Sequence, residues 1–169
     1  MQKFTTLLMT SGEKDLPKFD FELTGSQDRS LDAAVFWIIL GRQPEKPKQL
    51  TELVKSGLKV KVIHRLAKQL DTSNKELMSW LRLSTSTADR WAKENKFLST
   101  DYADKVVRYA KLLAQSEAMM QGDKDAALRW LKSPKRVLGG ETPLERATTE
   151  AGADDVERLI GRIRHGVFS

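Results

Sequence analysis

Apolar residues recur at spacings of three and four along most of this chain, the period that puts them on one face of a helix. Residues 31–40 are apolar nearly all round and predict a short buried helix, closed by Gly41 and the break between Pro44 and Pro47. A short helix is expected over 49–56, ending at Gly57, and another over about 59–70 with Val60, Ile63, Ala67 and Leu70 inward. Ser73 and Glu76 predict a capping box that starts a helix burying Leu77, Trp80 and Leu81. After a turn, Ser84 can cap a second helix over about 85–94, with Ala88 and Trp91 or Ala92 inward. A long helix capped by Thr100 or Asp101 carries one stripe of Tyr102, Val106, Tyr109, Ala110 and Leu113 and a second of Ala103, Val107, Ala114 and Ala118. Two stripes ask for two partners: the preceding helix pair on one side, and a second copy or the C-terminal module on the other. A single broad core contact is the plain alternative.

Beyond Gly122 a short helix is stopped by Pro134, and Thr142-Pro143-Leu144-Glu145 combines an N-cap, Pro at the first helical position and a capping-box Glu. Gly152 is expected to close that helix. Asp154 is expected to cap a last one, with Val156, Leu159, Ile160 and Ile163 inward, Arg158, Arg162 and Arg164 outward, and a stop at His165-Gly166. No stretch alternates apolar and polar residues at strand spacing, so the expected fold class is all-α: a helix-turn-helix unit followed by a small C-terminal helical domain. The expected divisions are an N-terminal arm and short helix at 1–47, partly flexible over its first 30 residues and without a readable role, then units at 48–120 and 121–169.

Charge sharpens the picture. Residues 46–111 hold 15 basic and 7 acidic side chains, a net of +8, against a net of +6 for all 169 residues. A local basic excess concentrates polyanions by Coulomb attraction and counterion release, although a solvated lysine-rich face would look the same. This segment contains the pair of helices at helix-turn-helix spacing, where the second helix can enter a major groove with its N-terminal residues on base edges. The candidate DNA contacts are Thr85, Ser86, Thr87, Asp89, Arg90 and Lys93. The alternative is an ordinary helical hairpin in a core. Such turns commonly carry Gly where the chain goes left-handed. This one has Arg82, at a cost of roughly 1–2 kcal/mol, which points to a turn of altered shape.

The remaining chemistry is sparse. With no cysteine and two histidines, thiolate sites are excluded and metal work is thin, so no cofactor or metal is expected. No nucleophile-base set or phosphate loop stands at catalytic spacing, which argues against an enzyme. His64 reads as a packing or surface residue, and His165 as a charge in a last helical turn. No apolar run approaches the ~20 residues that span a bilayer, and no signal peptide opens the chain, so a cytoplasmic protein with no membrane partner is expected.

The C-terminal residues carry a resemblance. The order Ala127, Trp130-Leu131, Pro134, Leu138-Gly139-Gly140, Thr142-Pro143-Leu144-Glu145, Thr149-Glu150-Ala151-Gly152-Ala153, Val156, Leu159-Ile160, Arg162-Ile163, His165-Gly166-Val167 and Ser169 closely resembles the toxin-binding domain of the Xre/MbcA/ParS antitoxins. With the helix-turn-helix and long helix the resemblance spans roughly 48–169. It implies an antitoxin that neutralises a RES-domain, NAD-degrading toxin by covering its active site, and that represses its own operator; the two stripes of the long helix and the two half-sites that helix-turn-helix readers need add the expectation of a homodimer within a larger complex. The toxin-contacting residues it implies are Arg162, Arg164, His165, Gly166, Val167, Phe168 and Ser169, the terminal carboxylate entering a cleft built for a pyrophosphate. The rival reading is a stand-alone regulator of phage-repressor type whose C-terminal module only dimerises.

Overall fold

The computed structural model describes residues 27–41 and 50–166, with side chains from residue 31. These residues form nine α-helices and no named strand. The N-terminal helices are α1 (Gln27–Leu40), α2 (Leu50–Ser56), α3 (Val62–Gln69), α4 (Asn74–Leu81) and α5 (Thr85–Lys93); α6 (Thr100–Met119) leads to α7 (Lys124–Lys132), α8 (Pro143–Arg146) and α9 (Glu150–Arg164). The all-α class is as the periodicity requires. Most of the arm expected at 1–30, and the break at Pro44–Pro47, lie outside the described residues.

The long helix α6 is the spine. It packs against α1, α2, α3 and α4 of the N-terminal half and against α7 and α9 of the C-terminal half. Ala103, Val106, Tyr109, Ala110, Leu112, Leu113 and Ala114 are all buried along it. The two stripes thus find apolar cover within the chain, with Tyr102, Val107 and Ala118 half-buried. One continuous hydrophobic cluster runs from Ala34 to Ile160. The nearly all-round apolar α1 fits because it is sandwiched: it contacts both α6 and α3, burying Val35, Phe36, Ile38 and Ile39. At about 1.5–3 kcal/mol per fully buried large apolar side chain, those four residues outweigh the helix's lack of a polar face. Among the described residues no helix is long and apolar enough to cross a membrane.

Several boundaries differ from expectation. Helix α1 begins at Gln27, four residues before the apolar run. Helix α3 begins at Val62 because the residues before it are used otherwise: Leu98 N donates to Leu58 O at 2.7 Å and Val60 N to Lys96 O at 3.3 Å, forming an isolated antiparallel bridge between Lys59 and Phe97. The N-cap of α6 is Ser99, with no side-chain cap bond.

The largest correction concerns Gly152 and Asp154. Helix α8 is a single turn, Thr149 caps α9 by accepting from Gly152 N at 3.1 Å, and Asp154 lies inside α9. Gly152 therefore closes nothing. It gives clearance: a Cβ there would sit 1.9 Å from the Arg146 carbonyl oxygen. Clearance and chain reversal both call for glycine, and the pattern alone does not separate them.

Candidate functional site

Ser73 caps α4, its Oγ accepting from Glu76 N at 3.1 Å, but Glu76 does not complete the expected box. Its carboxylate instead takes the hydroxyl hydrogen of Thr72. Leu77, Met78 and Leu81 are buried, whereas Trp80 is half-buried and stacks on Tyr109 with centroids 5.8 Å apart. Arg82 then adopts φ 55°, ψ 40°, so the turn has the usual left-handed shape despite its residue, against the expectation of an altered one. Two backbone bonds hold it, Arg82 N to Ser79 O at 3.0 Å and Leu83 N to Met78 O at 2.9 Å, and Leu83 is buried. This is the helix-end arrangement in which capping bonds plus an apolar anchor offset the left-handed cost.

Ser84 caps α5 as expected. Its Oγ accepts from Thr87 N at 3.2 Å and lies 2.7 Å from Thr87 Oγ1, to which it donates. Ala88 is buried, and Trp91 and Ala92 are half-buried, Trp91 edge-to-face on Tyr102 at 5.7 Å. Thr85, Ser86, Asp89, Arg90 and Lys93 are all exposed along the outer side of α5. Thr87 is half-buried with its hydroxyl engaged by Ser84, so it belongs to the cap. The helix thus offers three uncommitted reading groups at its start and middle, Thr85, Asp89 and Arg90, while Ser86 Oγ lies 3.3 Å from Ser84 Oγ. Near its end, Glu94 is paired with Lys96 at 2.6 Å; that bond holds its carboxyl below the usual range, and the Arg90 charge adds to the effect.

In the C-terminal module Asp123 caps α7, accepting from Ala126 N at 2.9 Å. A short 3₁₀ turn at Arg136–Leu138 precedes the Gly139-Gly140 reversal, where both glycines have positive φ. The Thr142–Glu145 capping box is complete: Glu145 N donates to Thr142 Oγ1 at 3.2 Å and Thr142 N to Glu145 Oε2 at 2.9 Å. The bond from Thr142 N, with a second from the Thr142 hydroxyl at 2.8 Å, keeps the Glu145 carboxyl below its ordinary value. Across the α8–α9 elbow, Arg146 grips Asp155 with Nη2 at 2.6 Å and Nε at 3.1 Å, and also reaches Glu141 at 3.1 Å. The module is tied to the rest by Tyr109, fully buried on α6, whose hydroxyl donates to Leu144 O at 3.2 Å. Burial pushes the Tyr109 hydroxyl well above the ordinary phenol range, so it stays a donor.

Helix α9 buries Val156, Leu159 and Ile160, half-buries Ile163, and leaves Arg158, Arg162 and Arg164 exposed. Arg158 pairs with Asp155 at 2.7 Å, whereas Arg162 and Arg164 make no ion pair among the described residues. His165 is the C-cap and Gly166 follows at φ 66°, both exposed, so the stop falls where expected. Val167, Phe168 and Ser169 lie outside the described residues. The two groups of candidate residues are therefore on separate elements, α5 and the end of α9, on a shared α6 scaffold.

Sequence reasoning missed the residues that join them. Tyr109 was legible as core but not as a link to residue 144, and Arg146 carries no periodic signal for Asp155. Glu117, buried near the end of α6, was also missed: burial raises its carboxyl to about 7, with Lys124 opposing, and its Oε1 has no hydrogen-bond partner among the described residues. His64 is exposed. No three His, Asp or Glu side chains among the described residues converge as metal ligands.

Comparison with known proteins follows this division. Residues 49–111 match the Xre-like helix-turn-helix domain of antitoxins, and residues 116–166 match the Xre/MbcA/ParS antitoxin C-terminal toxin-binding domain. The chain is 27% identical over 133 residues to antitoxin Xre of Photorhabdus laumondii, covering 79% of this chain and 90% of that protein. It is 26% identical over 133 residues to antitoxin Xre of Yersinia enterocolitica, with the same coverage. It is 30% identical over 125 residues to the Prs ADP-ribosylating antitoxin of a Sphingobium species, covering 69% of this chain and 79% of that protein. A helix-turn-helix with an outward second helix, joined through α6 to a capped toxin-binding module, places the chain with these proteins: it belongs to the Xre/MbcA/ParS family of antitoxins.

Proposed function

We propose that this antitoxin neutralises a RES-domain, NAD-degrading toxin by seating its C-terminal residues over the toxin's active site. The observation that carries the reading is the toxin-binding domain match, which runs to Gly166 and leaves Val167, Phe168 and Ser169 immediately after the exposed α9 end. Arg162 and Arg164, without an ion pair among the described residues, suit carboxylates at a toxin mouth, and the exposed His165 and Gly166 are available to the same surface. In this reading the chain catalyses nothing itself, acts in the cytoplasm, and its toxin-binding unit is 121–169.

The unit at 48–120 binds the operator DNA of its own operon through α5, with Thr85, Ser86, Asp89 and Arg90 toward base edges, Lys93 toward phosphate, and Thr87 holding the helix start. A homodimer meets the need for two half-sites. Most of α6 is covered within the chain, which favours other surfaces for that contact.

The test is co-expression of the cognate toxin with the full chain or with a chain ending at Gly166. Protection and NAD levels should fall for the shorter chain, with its folding checked by circular dichroism. Equal protection at equal abundance would assign inhibition to the helix faces or to steric blockade. A second reading keeps the antitoxin and changes the toxin: the Sphingobium relative is named for ADP-ribosylation of Prs, a chemistry whose donor is NAD. ADP-ribosylated protein, rather than bulk NAD loss, would favour it. The rival of a stand-alone regulator would show as no capture of a toxin at all.

A further inference from the structure

The bridge that shortens α3 also builds a surface beside α5. Phe97, three residues past the C-cap of α5, is 56% exposed although it is a large apolar side chain. The Lys59 ammonium lies 3.9 Å above its ring centroid and donates to Asn95 O at 3.0 Å. The position is well supported. Asn95 takes a left-handed φ of 51°, the bridge joins the 58–60 and 96–98 segments, and a Cβ at Gly57 would come within 2.9 Å of the Phe97 ring. Residues 59–61 and 93–97 hold four lysines, Lys59, Lys61, Lys93 and Lys96, against one carboxylate, Glu94, which Lys96 already neutralises.

That charge decides what the surface fits. A second copy docked face to face would bring like charges together, a poor use of an apolar ring, whereas a polyanion is complementary. The location agrees: a nine-residue helix is about 13 Å long, close to the ~12 Å width of a major groove. If the start of α5 faces base edges, its end comes level with the phosphates that border the groove. An ammonium has three donors and Lys59 gives one to Asn95, so others remain for a phosphate oxygen. Held by ring and carbonyl, it has less rotamer freedom to lose than a solvated lysine.

We propose that Lys59, held over the Phe97 ring beside the end of α5, is a preset contact to the DNA backbone flanking the groove that α5 enters. This rests on the reading of α5 as the DNA-contacting helix. The contact is to phosphate, so it acts on every sequence alike.

The experiment uses the full chain and two labelled duplexes of equal length, one from upstream of its own reading frame and one scrambled, with anisotropy titrations over a salt series. Lys59→Met should weaken binding to both. It should reduce the slope of log K against log salt by about 0.9, so that its deficit against wild type narrows about three- to fourfold between 50 and 200 mM salt. Phe97→Ala, and Phe97→Leu as a variant that keeps apolar bulk, should weaken both duplexes while leaving the slope unchanged. Arg129→Met, an equal charge loss on α7, controls for net charge. A Lys59→Met chain indistinguishable from Arg129→Met, in a protein that Arg90→Ala does weaken, overturns the preset contact alone. A wild type that binds neither duplex at low salt refutes the DNA reading and this contact with it. Loss of self-association by Phe97→Ala in sedimentation would make the ring a contact between copies and overturn the proposal.

Discussion

Two glycines in α9 should respond to the same substitution with opposite signs. Alanine is favoured over glycine inside a helix by about 0.5–1 kcal/mol, so both positions start with that gain. At Gly161 no atom of the described residues outside the helix's own backbone lies within 4 Å of the added methyl, and Gly161→Ala should keep the gain. At Gly152 the methyl would sit 1.9 Å from the Arg146 carbonyl oxygen, 2.9 Å from its carbon and 3.0 Å from Thr149 Oγ1. The obstruction is backbone, and it cannot swing aside as a side chain can. Relief requires parting α8 from α9 against the Arg146–Asp155 bonds. Overpacking typically costs 1–3 kcal/mol and occasionally more, and a backbone partner belongs at the upper end, so the net loss for Gly152→Ala should be about 2–4 kcal/mol. For a chain of this size that lowers the melting temperature by about 5–15 °C, while Gly161→Ala raises it by about 1–4 °C. Circular-dichroism melts and urea titrations of both variants measure this, and toxin capture at low temperature should be weakened only by Gly152→Ala. A Gly152→Ala protein as stable as wild type, or shifted in parallel with Gly161→Ala, would refute the clearance argument.

Arg82→Gly should stabilise by about 0.5–1 kcal/mol, the left-handed strain relieved minus the entropy glycine adds to the unfolded chain, as read from urea midpoints at unchanged m. Glu117, raised to about 7 against its ordinary 4.5, makes the folded chain lose stability as pH rises from about 4.5 to 7 and stay lower above that, because the unfolded chain ionises first. Glu117→Gln should therefore be neutral near pH 4 and stabilising by up to about 3 kcal/mol at pH 8; a gain that does not vary with pH would contradict the burial assignment. Arg90→Ala should relax operator preference by about 1–3 kcal/mol at the position it reads, which a comparison of operator and scrambled duplexes detects as a narrowed affinity ratio.

What was legible in the sequence is local. Helix periodicity, the Ser73 and Ser84 caps, the Thr142–Glu145 box and the Gly166 stop are decided within one or two turns of chain, so nearest neighbours suffice to read them. The ordered motifs of the last 45 residues were equally legible as a family pattern, because they combine such local signals in one sequence. Tertiary structure decided the rest. Whether Gly152 closes a helix or clears a carbonyl depends on where Arg146 lies, and whether Arg82 bends the turn depends on whether Leu83 finds a core. Which partners cover α6 depends on where the chain returns through α7 and α9. The long-range contacts, Tyr109 to Leu144 and Lys132 to Asp71 between the two functional ends and Lys59 to Asn95 within the helix-turn-helix unit, span 35, 61 and 36 residues. A periodic pattern says which face of a helix seeks cover and is silent about what covers it, since burial rewards apolar area without regard to its place in the chain.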